Sequence, residues 1–345
     1  MCKPTARRLV STWIFGAIVG TLVIAISSPL FVRSYTPLHA DAVRGVWTLP
    51  EGQTYRWRSE GYADTQIGPH GMPGKTSVPE PVEGTIRVAL WGDSQAEGVC
   101  VGDQQKLFAQ AQQLSGRQFS GPRLEVFPLA RSGEDAADWV TQMPVVERQL
   151  AIDLHVLLIV DLPDLIAAAA APLPPPSESD VARAKGAIAA RFPAFMIQAA
   201  RNLLTDSDQT RRKLRFSIGP ARQERPRSSA ARVDSEIDWL SPAAAIRRVS
   251  DRPIVILYAP MSPQIIGRAV VFEDAWAANF AAMKAAAEAV GLHVVDAGPQ
   301  LRQAARHGRW PRGFHNGVIG NGHLNAVGNS VVASLLVNAA FEQGY

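Results

Sequence analysis

From Leu9 to Val32 the chain carries no charged residue, and Arg8 and Arg33 bracket that run. About 20 apolar residues cross a bilayer core as a helix, whereas the apolar core of a secretory signal is only about 7 to 15 residues long. The run therefore reads as an uncleaved signal anchor rather than a cleaved signal. Leu38, in Pro-Leu-His-Ala before Asp41, also stands where a cleavage site wants a small residue. Lys3, Arg7 and Arg8 keep residues 1–8 cytoplasmic. Everything after Val32 is then expected outside, in the periplasm of a Gram-negative cell, on a single pass through the inner membrane.

Residues 33–84 are rich in Gly, Pro and Thr and have no long apolar period, so they read as an irregular lead-in with a short hairpin. From Thr85 short apolar runs alternate with helical patterns. The predicted strands are Ile86 to Trp91, Leu124 to Phe127, His155 to Val160, Ile254 to Tyr258 and His293 to Val295. Each is short and mainly apolar, as a strand covered on both faces should be. Between the last two, Trp276, Phe280, Met283, Ala287 and Val290 share one face of an amphipathic helix that Gly291 is placed to end. The expected fold is α/β, a three-layer α/β/α sandwich on a parallel sheet of about five strands, behind one N-terminal transmembrane helix.

One stretch, about 167–250, is too long for an ordinary crossover. It holds the prolines Pro174 to Pro176, an alanine-rich helical stretch from Asp180 to Leu204, and the basic residues Arg211, Arg212, Lys213, Arg215, Arg222, Arg225 and Arg227. It reads as a mainly helical insertion in the domain 85–345, and its arginines as a solvated basic face. Contact with anionic glycan or lipid headgroups is the other reading of those arginines.

Composition narrows the class without naming it. With 345 residues, 47% hydrophobic and 19% charged, the chain has ample material for a core. A net charge of +4 is too small for this length to indicate nucleic-acid binding. The two cysteines, Cys2 and Cys100, have no metal-ligand spacing, fall on opposite sides of the predicted membrane, and form no disulfide framework. No metal or cofactor is expected.

Two motifs carry the chemistry. Gly92-Asp93-Ser94 follows the first predicted strand and opens a helix, which sets a hydroxyl at the strand's carboxyl end beside helix N–H groups. Near the other end, His323 stands in Gly322-His323-Leu324-Asn325-Ala326-Val327-Gly328, ahead of a helix from Val331 to Phe341. A lone Gly-Asp-Ser is most often a turn and a lone histidine a surface residue. Both in this order, separated by an α/β pattern, resemble the first and last signatures of the SGNH (GDSL-type) hydrolases.

The resemblance implies that Ser94 is an acyl nucleophile and His323 its base. It also implies that Gly133, in Pro128-Leu-Ala-Arg-Ser-Gly133, offers an oxyanion-hole N–H together with Ser94. A glycine needed only for a turn is the competing reading of Gly133. Asp64 to Lys75 loosely resembles the Asn-x-x-Gly-x-Arg-Gly lead-in of some membrane-anchored members.

Two positions depart from the family pattern. Pro163 falls where an asparagine amide would serve the oxyanion, and Gly320 falls where an aspartate would orient the histidine. A backbone carbonyl, Asp161, Asp164 or Asp296 remain open as substitutes for the second. The expected function is a serine esterase or O-acyltransferase acting on an ester or acylated carbohydrate, chiefly O-acetyl esters of envelope or extracellular glycans. The alternative is a non-catalytic glycan-binding or scaffold protein of the envelope.

Overall fold

A computed structural model describes residues 6–118, 122–169, 192–204 and 237–343. The arginine-rich run from Arg211 to Arg227, the proline run, residues 180–191 of the alanine-rich stretch and Cys2 lie outside the described residues. Helix α1 (Ala6–Ser27) belongs to a span, Ala6–Leu30, that is long and apolar enough to cross a membrane.

The lead-in is more ordered than its lack of periodicity suggests. It forms two antiparallel ribbons, β1 (His39–Asp41) with β2 (Val46–Thr48) and β3 (Thr54–Trp57) with β4 (Ala63–Gln66). Strands this short bury little apolar surface by themselves and need a neighbour. Met72, fully buried in the core of the sandwich, helps supply one.

The central sheet contains β5 (Thr85–Gly92), β6 (Arg123–Pro128), β7 (Leu154–Ile159), β8 (Ile254–Tyr258) and β11 (His293–Asp296), in the order β11-β8-β7-β5-β6. All four pairings are parallel. All five predicted strands are present to within a residue or two at their ends. A small ribbon of β9 (Gln264–Ile266) and β10 (Ala269–Val271) stands apart from the sheet. After β5 the chain moves to one edge, then returns across β5 to build the other side. The carboxyl end of β5 therefore lies at the point where strand order reverses, where open α/β sheets leave a crevice.

Alternate residues of each strand point to opposite faces, and each face has its own core. On one, Trp91, Leu157, Ile159, Ile256 and Tyr258 meet α4 (Ala136–Leu150), α7 (Leu240–Arg248) and α8 (Ala277–Ala289). On the other, Val88, Leu90, Val156, Leu158 and Leu257 meet α3 (Leu107–Gln118), α9 (Gly298–Arg306) and α10 (Ala326–Glu342). Truncating one such leucine to alanine costs about 2–5 kcal/mol in a closed core. Within the long stretch before β8, α5 (Pro163–Ile166) and α6 (Ala194–Leu204) are described, and α7 packs Ala243 and Ile246 into the first core. The α8 face also follows the pattern, with Met283 and Ala287 buried and Gly291 at φ +81° beyond its end.

Candidate active site

The turn after β5 is built around Gly92. Its φ is +151°, and a Cβ there would lie 2.7 Å from Ala96 Cβ and 2.9 Å from the Leu158 carbonyl oxygen. Only glycine fits. Asp93 caps the single-turn helix α2 (Ser94–Glu97) by accepting from the Gln95 amide at 2.8 Å. Burial pushes the Asp93 carboxyl above its ordinary range despite that bond. Ser94 is thus the first residue of α2, with its hydroxyl at the crevice.

The histidine loop is held against this turn by buried polar contacts. Gln95 Oε1 accepts from the Leu324 amide at 2.9 Å and from Arg312 Nη1 at 3.1 Å. Arg312 is fully buried and also donates to the carbonyls of Ala259 at 2.7 Å, Pro260 at 3.0 Å and Gly322 at 3.3 Å. Burial lowers its pKa to about 10, still well above neutrality, so it remains a cation. Asn325 caps α10 through the amides of Val327 and Gly328, while its Nδ2 donates to the carbonyls of Trp310 and Gly313. The Gly-His-Leu-Asn string is therefore a loop whose asparagine starts the last helix and whose histidine is left facing the crevice.

Ser94 and His323 meet there: His323 Nε2 lies 3.0 Å from Ser94 Oγ. The other ring nitrogen has a partner absent from the sequence expectations. His323 Nδ1 lies 2.6 Å from Glu60 Oε2, and Glu60 Oε1 accepts the His323 backbone N–H at 2.8 Å. Glu60 sits in the turn between β3 and β4, 263 residues away along the chain. The candidates Asp161, Asp164 and Asp296 do not bond to His323. Asp296 accepts instead from the Gly298 amide at 2.7 Å, at the start of α9.

Nor could an aspartate stand at position 320. Gly320 has φ +75°, and a Cβ there would lie 2.6 Å from Ile265 Cγ1. The vacancy left by Gly322 serves Glu60, since a Cβ at 322 would lie 2.0 Å from Glu60 Oε1. The neighbour of Glu60 is pinned as well. Asn316 accepts from the Gly61 N–H and donates to the Gly61 carbonyl, both at 2.8 Å. Nothing in the sequence pattern singles out Glu60: it is one acid in a polar turn, and no spacing rule links it to His323.

Charge at the site follows from these contacts. For Glu60, burial favours the neutral form, but hydrogen bonds from the His323 ring and backbone, with the charges of His323 and Arg312, hold its pKa below 4.5. For His323, burial opposes protonation, yet the hydrogen bond and charge of Glu60, with Cys100 beside the ring, outweigh it and push the pKa up to about 10. Cys100 is a buried free thiol beside the ring.

The Gly133 loop lies at the end of β6. Gly133 has φ +83° and open space where a side chain would be. Among the described residues, neither its N–H nor that of Ser94 donates to a protein acceptor. Pro163 opens α5 and is exposed, with no N–H to offer. Nearby, burial together with the charges of Asp93, Asp161 and Asp135 raises Asp164 to about 7. His315 is exposed and makes no contact with Ser94. Among the described residues no group of three or more His, Cys, Asp or Glu could hold a metal ion.

No family model matches the chain, and no curated protein is significantly similar to it in sequence. Solved structures similar to it include a two-domain esterase active on acetylated mannans, with 9% identity and a TM-score of 0.40 over 75% of this chain and 49% of that one. The chain thus spans about half the length of that esterase. Another is an alpha/beta hydrolase from the metagenome of Lake Arreo, Spain, with 15% identity and a TM-score of 0.38 over 74% of this chain and 95% of that one. A GDSL-like lipase from Bacteroides thetaiotaomicron has 11% identity and a TM-score of 0.34 over 77% of this chain and 93% of that one. The five-stranded parallel sheet with helices on both faces is an α/β architecture.

Proposed function

We propose that this chain is a serine-dependent esterase or O-acyltransferase using Ser94, His323 and Glu60. The observation that carries the reading is the unbroken line from Ser94 Oγ to His323 Nε2 at 3.0 Å and from His323 Nδ1 to Glu60 Oε2 at 2.6 Å. In neutral His323, Glu60 fixes the remaining proton on Nδ1, so Nε2 presents a lone pair to the serine hydroxyl. As Oγ attacks the acyl carbonyl, Nε2 takes its proton, and Glu60 stabilises the imidazolium that forms. The free amides of Ser94 and Gly133 receive the negative charge on the carbonyl oxygen. The imidazolium then protonates the leaving alkoxide. Water, or a second hydroxyl in a transferase, repeats the sequence on the acyl-serine and releases Oγ.

The resemblance to membrane-anchored SGNH proteins makes O-acetyl esters of envelope or extracellular glycans the proposed substrates. The apolar span Ala6–Leu30 supports tethering to the inner membrane with the site outside. The test is fluorophosphonate labelling of the full chain in detergent, with p-nitrophenyl acetate turnover measured alongside, for wild type and Ser94→Ala. Labelling and turnover in wild type that disappear in the variant are expected. A wild type that neither labels nor turns over, or a variant that keeps both, removes Ser94 as nucleophile. The former would favour a glycan-binding protein with the same cleft.

A further inference from the structure

The loop carrying Gly133 closes on one backbone bond of its own, from the Glu134 N–H to the Arg131 carbonyl at 3.1 Å, and side chains hold the rest. Ser132, immediately before Gly133, donates both its N–H (3.0 Å) and its hydroxyl to Glu97 Oε2. Glu97 is the last residue of α2, the same single turn that begins at Ser94. It is buried, and burial pushes its carboxyl upward against the pull of the two Ser132 bonds and of the Lys106 and Arg131 charges.

On the other side of Gly133, Glu134 is fully buried at its side chain and pairs with Arg131 Nε at 3.3 Å and Arg44 Nη2 at 3.7 Å. Arg44 comes from the lead-in. It donates to the Leu129 carbonyl at 2.6 Å, the His70 carbonyl at 3.1 Å and Gln142 Oε1 at 2.9 Å. The Arg131 amide donates to the Gly92 carbonyl at 3.2 Å. Both neighbours of Gly133 are thus fastened to buried charges, while the Gly133 amide stays free.

A buried carboxylate is a costly way to fill space, because an apolar side chain of the same volume needs no desolvation. Accepting two donors from one residue gives it a different use: it sets the loop at a fixed height over α2. We infer that Glu97 is a positioning residue that holds the Gly133 amide in register with the Ser94 amide, so that two donors suffice for the oxyanion where Pro163 supplies none. Preorganisation matters here because a donor must already lie where charge develops. A loop free to relax would turn the Gly133 amide toward water. This inference rests on the esterase reading above and concerns the same site.

The experiment compares Glu97→Gln, Glu97→Ala and Ser132→Ala with wild type, as full chains in detergent. It reads kcat, KM and the pH midpoint of the rate for p-nitrophenyl acetate, with thermal melts to establish folding. Loss of one oxyanion donor typically costs about a hundred- to a thousandfold in rate, and misplacing one costs part of that. Glu97→Ala is therefore expected to lower kcat by about thirtyfold or more, with Ser132→Ala and Glu97→Gln smaller in the same direction. KM and the pH midpoint should stay at wild-type values, because the substrate's ground state and His323 are untouched. A folded Glu97→Ala with wild-type kcat overturns the inference. So does a loss in which the pH midpoint moves, since Glu97 would then be acting through His323. Ser132→Ala, the milder change, decides the question if Glu97→Ala does not fold. A wild type with no turnover overturns the esterase reading itself and this inference with it.

Discussion

Glu60→Gln is the sharpest test of how the histidine works. Both Glu60 oxygens accept N–H donors from the same residue: Oε1 takes the His323 backbone N–H and Oε2 takes Nδ1–H. Glutamine has one oxygen and one NH2 group. The backbone N–H cannot change its role, so it claims the oxygen and the NH2 group faces Nδ1. The ring responds by carrying its proton on Nε2, where it can no longer accept from Ser94. The charge that stabilises the imidazolium is lost as well. Two charges about 4 Å apart interact by about 4 kcal/mol at an effective dielectric of 20, equivalent to about a thousandfold in rate. With His323 and Glu60 side chains 24% and 20% exposed, solvent screening reduces that figure.

The expectation is a kcat lower by about a hundred- to a thousandfold, with KM within about threefold, since Glu60 does not face the substrate. The assay is steady-state hydrolysis of p-nitrophenyl acetate from about pH 6 to pH 10, across the range in which His323 loses its proton. In wild type the rate should rise with pH, with a midpoint above 6.5, because only neutral His323 can take the serine proton. In Glu60→Gln the midpoint should fall, because the charge holding the imidazolium is gone. A folded variant that keeps more than about a third of wild-type kcat, or an unmoved midpoint, would refute the role given to Glu60.

Two further outcomes follow from the same contacts. Gly322→Ala places a Cβ 2.0 Å from Glu60 Oε1 at a φ of +88°, so it should displace the carboxylate. It should reproduce most of the Glu60→Gln loss in kcat and lower stability by about 1–3 kcal/mol. A variant with wild-type kcat would show that Glu60 can be moved without consequence. Stability should also depend on pH through this pair. His323, raised above 6.5, contributes stability that is complete below 6.5 and lost as pH rises through about 10. Glu60, depressed below 4.5, contributes stability present above 4.5 and lost as pH falls through its folded value. The Tm difference between wild type and Glu60→Gln should therefore be widest between 4.5 and 6.5 and narrow in both directions. A difference that is flat with pH would mean the two groups are not coupled in the folded protein.

Local pattern decided a good deal of this molecule. Mainly apolar runs marked all five sheet strands, because strands covered on both faces have few polar positions; Arg87 and Glu125, the charged exceptions in those runs, pair with each other at 2.8 Å across β5 and β6. Gly92-Asp93-Ser94 and Gly322-His323-Leu324-Asn325 were visible for a similarly local reason. A strand-to-helix turn needs a glycine and a cap, and the last helix needs Asn325 as its own cap. Each motif carries its geometry within a few residues. The uncharged run from Leu9 to Val32 belongs to the same class, since a bilayer reads length and polarity alone.

What those runs did not contain was any relation across the chain. The order of strands brought the carboxyl end of β5 beside the loop before α10 and set His323 Nε2 3.0 Å from Ser94 Oγ. The lead-in, which has no period because its ribbons are too short to show one, supplied Glu60 and Arg44. These residues do their work 263 and 85 positions away, at His323 and Leu129 respectively. Gly320 shows the same limit from the other side. Its missing aspartate looks like a defect along the chain, yet Ile265 fills the space a side chain would need and Glu60 holds the ring instead. Secondary structure and turn chemistry are set by neighbours in sequence, so the chain alone determined them. Ion pairs and orienting bonds between distant segments are set by which loops the sheet brings together, so only the tertiary structure could decide them.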